Sequence, residues 1–254
     1  EQVINLINSR SKDFVLAFWL IEATTILRFY QGLEASTFFL REFLERFWHK
    51  AHPIEDGHDL KMSALQWFDK EFSNTLKFIH LYGNDNNYGK NFSKNSVDAL
   101  NQRHRNWEKT PDRTMTREQK SRHAEFKADW ENYKAFCSAL NVTKLSEDLV
   151  RLDNSIESVE IAEKLIENLN PEAGPTFNKI SITLRSLRKI LEKNVESLEV
   201  RELDAEVNQV VSKTKKEEDP SELSDYQKLQ GENRHLTKEM VEKYISDIGD
   251  KNDL

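Results

Sequence analysis

The side chains best suited to chemistry gather in two short stretches. His49, His52 and His58 stand close together, with Glu55, Asp56 and Asp59 among them. Two histidines three apart share a helix face and could hold one ion. The pattern falls short of a catalytic zinc site. The H-E-x-x-H order is missing, and His52 precedes Pro53, where a helix ends. A structural helix terminus is the simpler reading, since imidazole near a helix C-terminus suits the dipole. Arg103, His104, Arg105, Trp107 and Lys109 form the second stretch. Cations interleaved with an aromatic ring could stack on single-stranded nucleic acid. The acids between Glu108 and Glu131 and a net charge of −7 favour a solvated face with Trp107 in the core.

Nothing else in the chain forms a reactive set. Cys137, the single cysteine, follows Trp130 and Tyr133 at helical spacing and precedes Leu140, which reads as a core thiol. One cysteine excludes an internal disulfide and fits a reducing compartment. The sequence has no P-loop, no G-x-G-x-x-G and no G-x-S-x-G. Its many carboxylates single out no acid–base pair. Catalytic residues, metal ligands and cofactors are therefore expected to be none.

The elements that carry these residues read as helices throughout. Gly (7) and Pro (5) are scarce in 254 residues, against a many-turned β architecture. Hydrophobic residues make up 37% and charged residues 32%, which suits a soluble helical chain. The excess acid falls after residue 110. Residues 1–8 read as a short helix, and Ser11 as the N-cap of the next, with Asp13 in its first turn. Residues 12–31 are apolar on nearly every face, from Phe14 through Trp19 to Phe29, so this helix belongs at the centre of the core. Glu22 and Arg28 are expected at its edge. Gly32 is expected to end it. Residues 33–51 carry Leu33, Leu40, Phe43, Leu44, Phe47 and Trp48 on one stripe, so the two helices should form an antiparallel hairpin.

Further on, Asp59 can cap a short helix bearing Leu60, Trp67 and Phe72, and 76–82 is less regular. A helix is expected near 94–108. Thr116-Arg117-Glu118-Gln119 is a capping box. Two long apolar stripes, over 142–169 and 177–198, flank the breaker Asn170–Pro175 and predict a long hairpin with a shallow coiled-coil-like crossing. The fold class is all-α, built of packed helical hairpins. Residues 1–212 are expected to form one helical domain, 213–235 a charged linker, and 236–254 the start of a further helical segment. The longest apolar run, Phe14 to Ile21, is far short of the roughly 20 residues of a membrane span. Direct membrane insertion is not expected, and the location should be cytoplasmic.

The ordered motifs of the first 70 residues resemble the ImpA-type N-terminal domain of the TssA family of the bacterial type VI secretion system. They are Arg10-Ser11-Lys12-Asp13, Trp19-Leu20-Ile21-Glu22-Ala23, Gly32-Leu33, Leu44-Glu45-Arg46-Phe47-Trp48, His52-Pro53 and Glu55-Asp56-Gly57. Ala64-Leu65 and Trp67-Phe68 look like the next element, and 174–184 is loosely similar to the turn before a long helix. The resemblance implies a non-enzymatic assembly protein whose partners are baseplate, sheath, inner tube or membrane complex, working in the cytoplasm at the apparatus. It implies an N-terminal fragment, with homo-oligomers formed through regions beyond this sequence, and motif residues that are mostly structural. The helical pattern also admits an adaptor unrelated to secretion, binding through 142–198, and an enzyme whose site the sequence hides.

Overall fold

A computed structural model describes residues 2–9, 11–54, 58–82, 92–109, 115–171 and 174–217, with side chains for all but His58 and 206–217. Seven helices and no strand occur among them: α1 (Gln2–Ser9), α2 (Phe14–Phe47), α3 (His58–Phe78), α4 (Lys94–Glu108), α5 (Arg117–Ser138), α6 (Val142–Leu169) and α7 (Asn178–Glu217). The chain is all-α. It divides into a unit of Glu1–Val200 and a second unit from Arg201, of which the end of α7 is the described part. Most of the charged stretch 213–235, the segment 236–254 and the loops around 83–89 and Pro111 lie outside the described residues.

Most helices begin where their sequence supplies a cap. The Asp13 carboxylate accepts from the backbone N–H of Val15 (2.8 Å) and Leu16 (3.1 Å), so Asp13, not Ser11, is the N-cap of α2. Ser11 instead donates its backbone N–H to the Leu6 carbonyl. Thr116 and Gln119 form the expected capping box of α5, and Ser93 with Ser96 forms another on α4. Helix α7 is started from a distance. The two oxygens of Asp69 on α3 accept from Ile180 (2.9 Å) and Lys179 (3.2 Å), while Glu163 on α6 accepts from Thr176 and Phe177. The carboxylates of two other helices thus satisfy its orphan N–H groups.

Helix α2 is the expected hairpin, with its joint moved. The break falls at Phe29, in the left-handed region (φ 51°, ψ −128°), where a non-glycine residue costs about 1–3 kcal/mol. The limbs 14–28 and 30–47 run antiparallel: Phe14 meets Phe43 at 5.6 Å and Trp48 at 5.9 Å, and the Ser36 hydroxyl donates to the Ile21 carbonyl. Gly32 does not end a helix. It lies buried inside the second limb, where a Cβ would sit 2.2 Å from the Thr24 carbonyl oxygen. Its role is close approach of the two limbs.

The second limb of α2 carries buried Leu33, Leu40, Phe43 and Leu44, and α2 packs chiefly against α6. The first limb lies beside α3: Phe18 stacks on Phe68 (4.2 Å), which stacks on Phe72 and meets Phe177 edge-on at the start of α7. Helix α3 runs the full 21 residues to Phe78, longer than the expected short helix, and takes in Leu76. Helices α6 and α7 form the expected antiparallel hairpin. Leu145, Leu152, Val159 and Ile166 are buried on one, and Ile180, Leu184, Leu187 and Leu191 on the other. Arg188 pairs with Asp153 and Arg185 with Glu160 along its flank.

Candidate interaction surface

The motif residues converge on the open end of the α2 hairpin. His52 donates its N–H to the Lys12 carbonyl (2.7 Å), and Phe14 donates to the His52 carbonyl (3.2 Å). Residues 39 apart in sequence thus form a parallel bridge between Asp13 and His52. The Lys12 ammonium donates to the carbonyl of Ile7 at the end of α1 and lies 5.2 Å over the Phe47 ring. Trp48 is 2% exposed. Its carbonyl accepts from Lys61, whose ammonium also lies 5.5 Å above the indole. Burial holds the Lys61 ammonium below the usual lysine range. Pro53 follows a cis bond from His52. Glu22, expected at an edge, accepts from Thr75 and ties α2 to α3. Glu45 and Arg46 are exposed, with Arg46 paired to Glu42. Arg10 and Asp56 lie outside the described residues.

His49 and His52 are exposed, and no group of three or more metal-ligating side chains occurs among the described residues. Cys137 packs against the core, 4.0 Å from the Tyr82 hydroxyl. That hydroxyl contacts Tyr133 (3.3 Å) and accepts from Asn194 (2.7 Å). Burial pushes both phenols well above the usual tyrosine range, so they stay protonated as core bridges from α5 to α7. In the basic stretch, Trp107 stacks on His123, and His104 lies tilted against Trp130 at 4.3 Å. These rings pair α4 with α5, and Trp107 is half-buried rather than in the core.

The feature without an internal purpose is an apolar groove. The first limb of α2 was expected to be buried all round, but Trp19 is 52% exposed and Ile26 50%. At 100° per residue, Val15, Trp19 and Ile26 share one stripe. On α3, Leu60, Trp67 (44% exposed) and Phe78 (63%) share another. The Phe18–Phe68 stack and the Glu22–Thr75 bond fix the helices side by side and parallel, which turns both stripes to the same side of the contact line. One end is an open cleft of about 580 Å³, where Ile26 and Phe29 face Glu71, Asn74, Thr75 and Phe78. Trp19 and Trp67 stood out in the sequence. Val15, Ile26, Leu60 and Phe78 did not, although their spacing off the core stripe was readable once the partner helix was known.

The described residues form an all-helical core with an open apolar groove on its surface. Residues 1–70 match the model of ImpA, N-terminal, type VI secretion system. The fold matches the N-terminal domain, including the conserved ImpA_N region, of the TssA component of the type VI secretion system from Burkholderia cenocepacia. That match has a TM-score of 0.62 at 16% identity and covers 77% of this chain and 76% of that one. Comparison with curated proteins gives no match. Residues 1–70 are thus similar to the ImpA N-terminal region, and the fold is like that of the TssA N-terminal domain.

Proposed function

We propose that this protein is a structural, non-enzymatic component of the type VI secretion apparatus, working in the cytoplasm by docking to baseplate, sheath, inner tube or membrane complex. The observation that carries the reading is the ImpA N-terminal match over residues 1–70. That segment supplies α1, the whole α2 hairpin and most of α3. The TssA-like fold supports it, and so does the use of the motif residues: Lys12, Asp13, Trp48 and His52 close a hairpin. The test is in-cell crosslinking and affinity purification of the tagged protein from a strain assembling the apparatus, with mass spectrometry of what is held. Sheath, tube, baseplate or membrane-complex subunits are expected, together with loss of secretion on deletion. Normal secretion in the deletion strain with none of these subunits recovered would overturn the reading.

A further inference from the structure

We infer that the groove between α2 and α3 is the seat of a basic amphipathic helix from a partner protein. This deepens the docking reading and rests on it. Two parallel helices leave a trough between their solvent-facing shoulders, and a third helix fits such a trough with one apolar face down. Where both shoulders are present, from Val15 to Ile26, the trough is about 16 Å long at 1.5 Å per residue, three turns of a partner helix. Apolar side chains recur along it: Val15, Trp19 and Ile26 on one shoulder, Leu60, Trp67 and Phe78 on the other, with Glu71 and Asn74 between the last two. Large rings exposed along a shared line in this way mark an interaction site, whereas scattered single residues would not. Trp19 and Trp67 are the residue type that anchors interfaces most often.

Charge decides the occupant. Glu71 lines the cleft, 3.4 Å from Lys70, and Glu22 borders the groove, where it accepts from Thr75. The other lysines of α3 do not line it: Lys61 is buried against Trp48, and helical spacing turns Lys77 to the far side, where it donates to Asn74. Glu22 and Glu71 against the single Lys70 leave the trough net acidic, which favours a helix whose Leu-type stripe is flanked by Lys or Arg. The same charge disfavours an acidic helix and an anionic lipid surface.

The test uses the full chain and an 18-residue fluorescein-labelled peptide with leucine at i, i+3, i+4 and i+7 and lysine beside the stripe. Its twins carry glutamate for lysine, or the same residues scrambled. Fluorescence anisotropy should show saturable binding of the lysine peptide and at least about tenfold weaker binding of both twins. Trp19→Ala and Phe78→Ser should each weaken binding by about tenfold. Glu71→Gln should weaken it by about two- to fivefold and flatten its salt dependence. Thermal melts of all three variants should match the parent, because the residues are exposed. Equal binding of the lysine and glutamate peptides, or no effect of Trp19→Ala and Phe78→Ser, overturns the inference. So does a concentration-dependent doubling of mass abolished by Trp19→Ala, which would assign the groove to a second copy. Capture on vesicles of anionic phospholipid without peptide binding would assign it to a membrane. A protein that recovers secretion components in the cell yet ignores all three peptides sinks the groove and leaves the docking reading intact.

Discussion

Two tryptophans of the motif region differ in what surrounds them, and that difference is measurable. Trp48 is enclosed by Phe14, Lys61 and the hairpin end, so Trp48→Ala should cost about 3–5 kcal/mol in chemical denaturation. Trp19 lies half in water, and Trp19→Ala should cost less than about 1 kcal/mol. Nothing in the sequence separates the two, because a helix apolar on every face conceals which face meets water. The side of Trp19 became legible only when Phe68 was seen against its neighbour Phe18. Gly32 is a second case. Glycine after an apolar run reads as a helix stop, whereas the duty of Gly32 in the fold is set by Thr24 on the facing limb. Gly32→Ala puts a methyl group into a backbone carbonyl that cannot swing aside. A loss of about 3 kcal/mol is expected, against the small gain that the same change brings at an ordinary helix position. A denaturation midpoint equal to the parent's would show that the limbs can part.

At the scale of elements, periodicity and caps made most helices readable: the Thr116–Gln119 box, the long stripes of α6 and α7 and the breaker between them all stand where sequence places them. The break at Phe29 was not readable, because an aromatic residue has no preference for positive φ and is held there by the antiparallel closure of its own limbs. The start of α7 was readable from the Asn170–Pro175 breaker, but its caps were not, because they come from Asp69 and Glu163 on two other helices. Asp69→Ala should therefore cost about 2–3 kcal/mol, more than a surface cap, because it strands two N–H groups in a buried place. A pH dependence follows. Burial raises the Asp69 carboxyl above its ordinary 3.8, with the Ile180 and Lys179 N–H groups pulling partly back. Above 3.8 the unfolded chain has lost this proton while the folded chain still holds it, so the folded state binds more protons and stability falls as pH rises through that window. Asp148, raised by burial against the pull of Arg151, acts in the same direction. Denaturation midpoints from pH 3.5 upward should show the decline, and Asp69→Asn should remove its own share of the slope. An unchanged slope in that variant would mean that the carboxyl titrates alike folded and unfolded.

For the whole molecule, the question is where the core stops needing chain. Buried side chains occur on α7 at Leu184, Leu187, Leu191, Val195 and Leu198, the repeating stripe that faces the rest of the Glu1–Val200 unit. From Glu199 through Ala205 every side chain is exposed, Val200 and Leu203 among them. A helix whose apolar stripe turns to water at one residue has left its core there, even though its backbone bonds continue. The ImpA N-terminal match, the groove and the hairpin of α6 with α7 all precede that point. Truncation after Ala205 should therefore leave the unfolding free energy within about 1 kcal/mol of the full chain and leave cooperativity intact. Circular dichroism melts with matched urea titrations would decide it. A drop of several kcal/mol, or a second transition appearing in the shortened chain, would show that residues past 205 cover part of the unit.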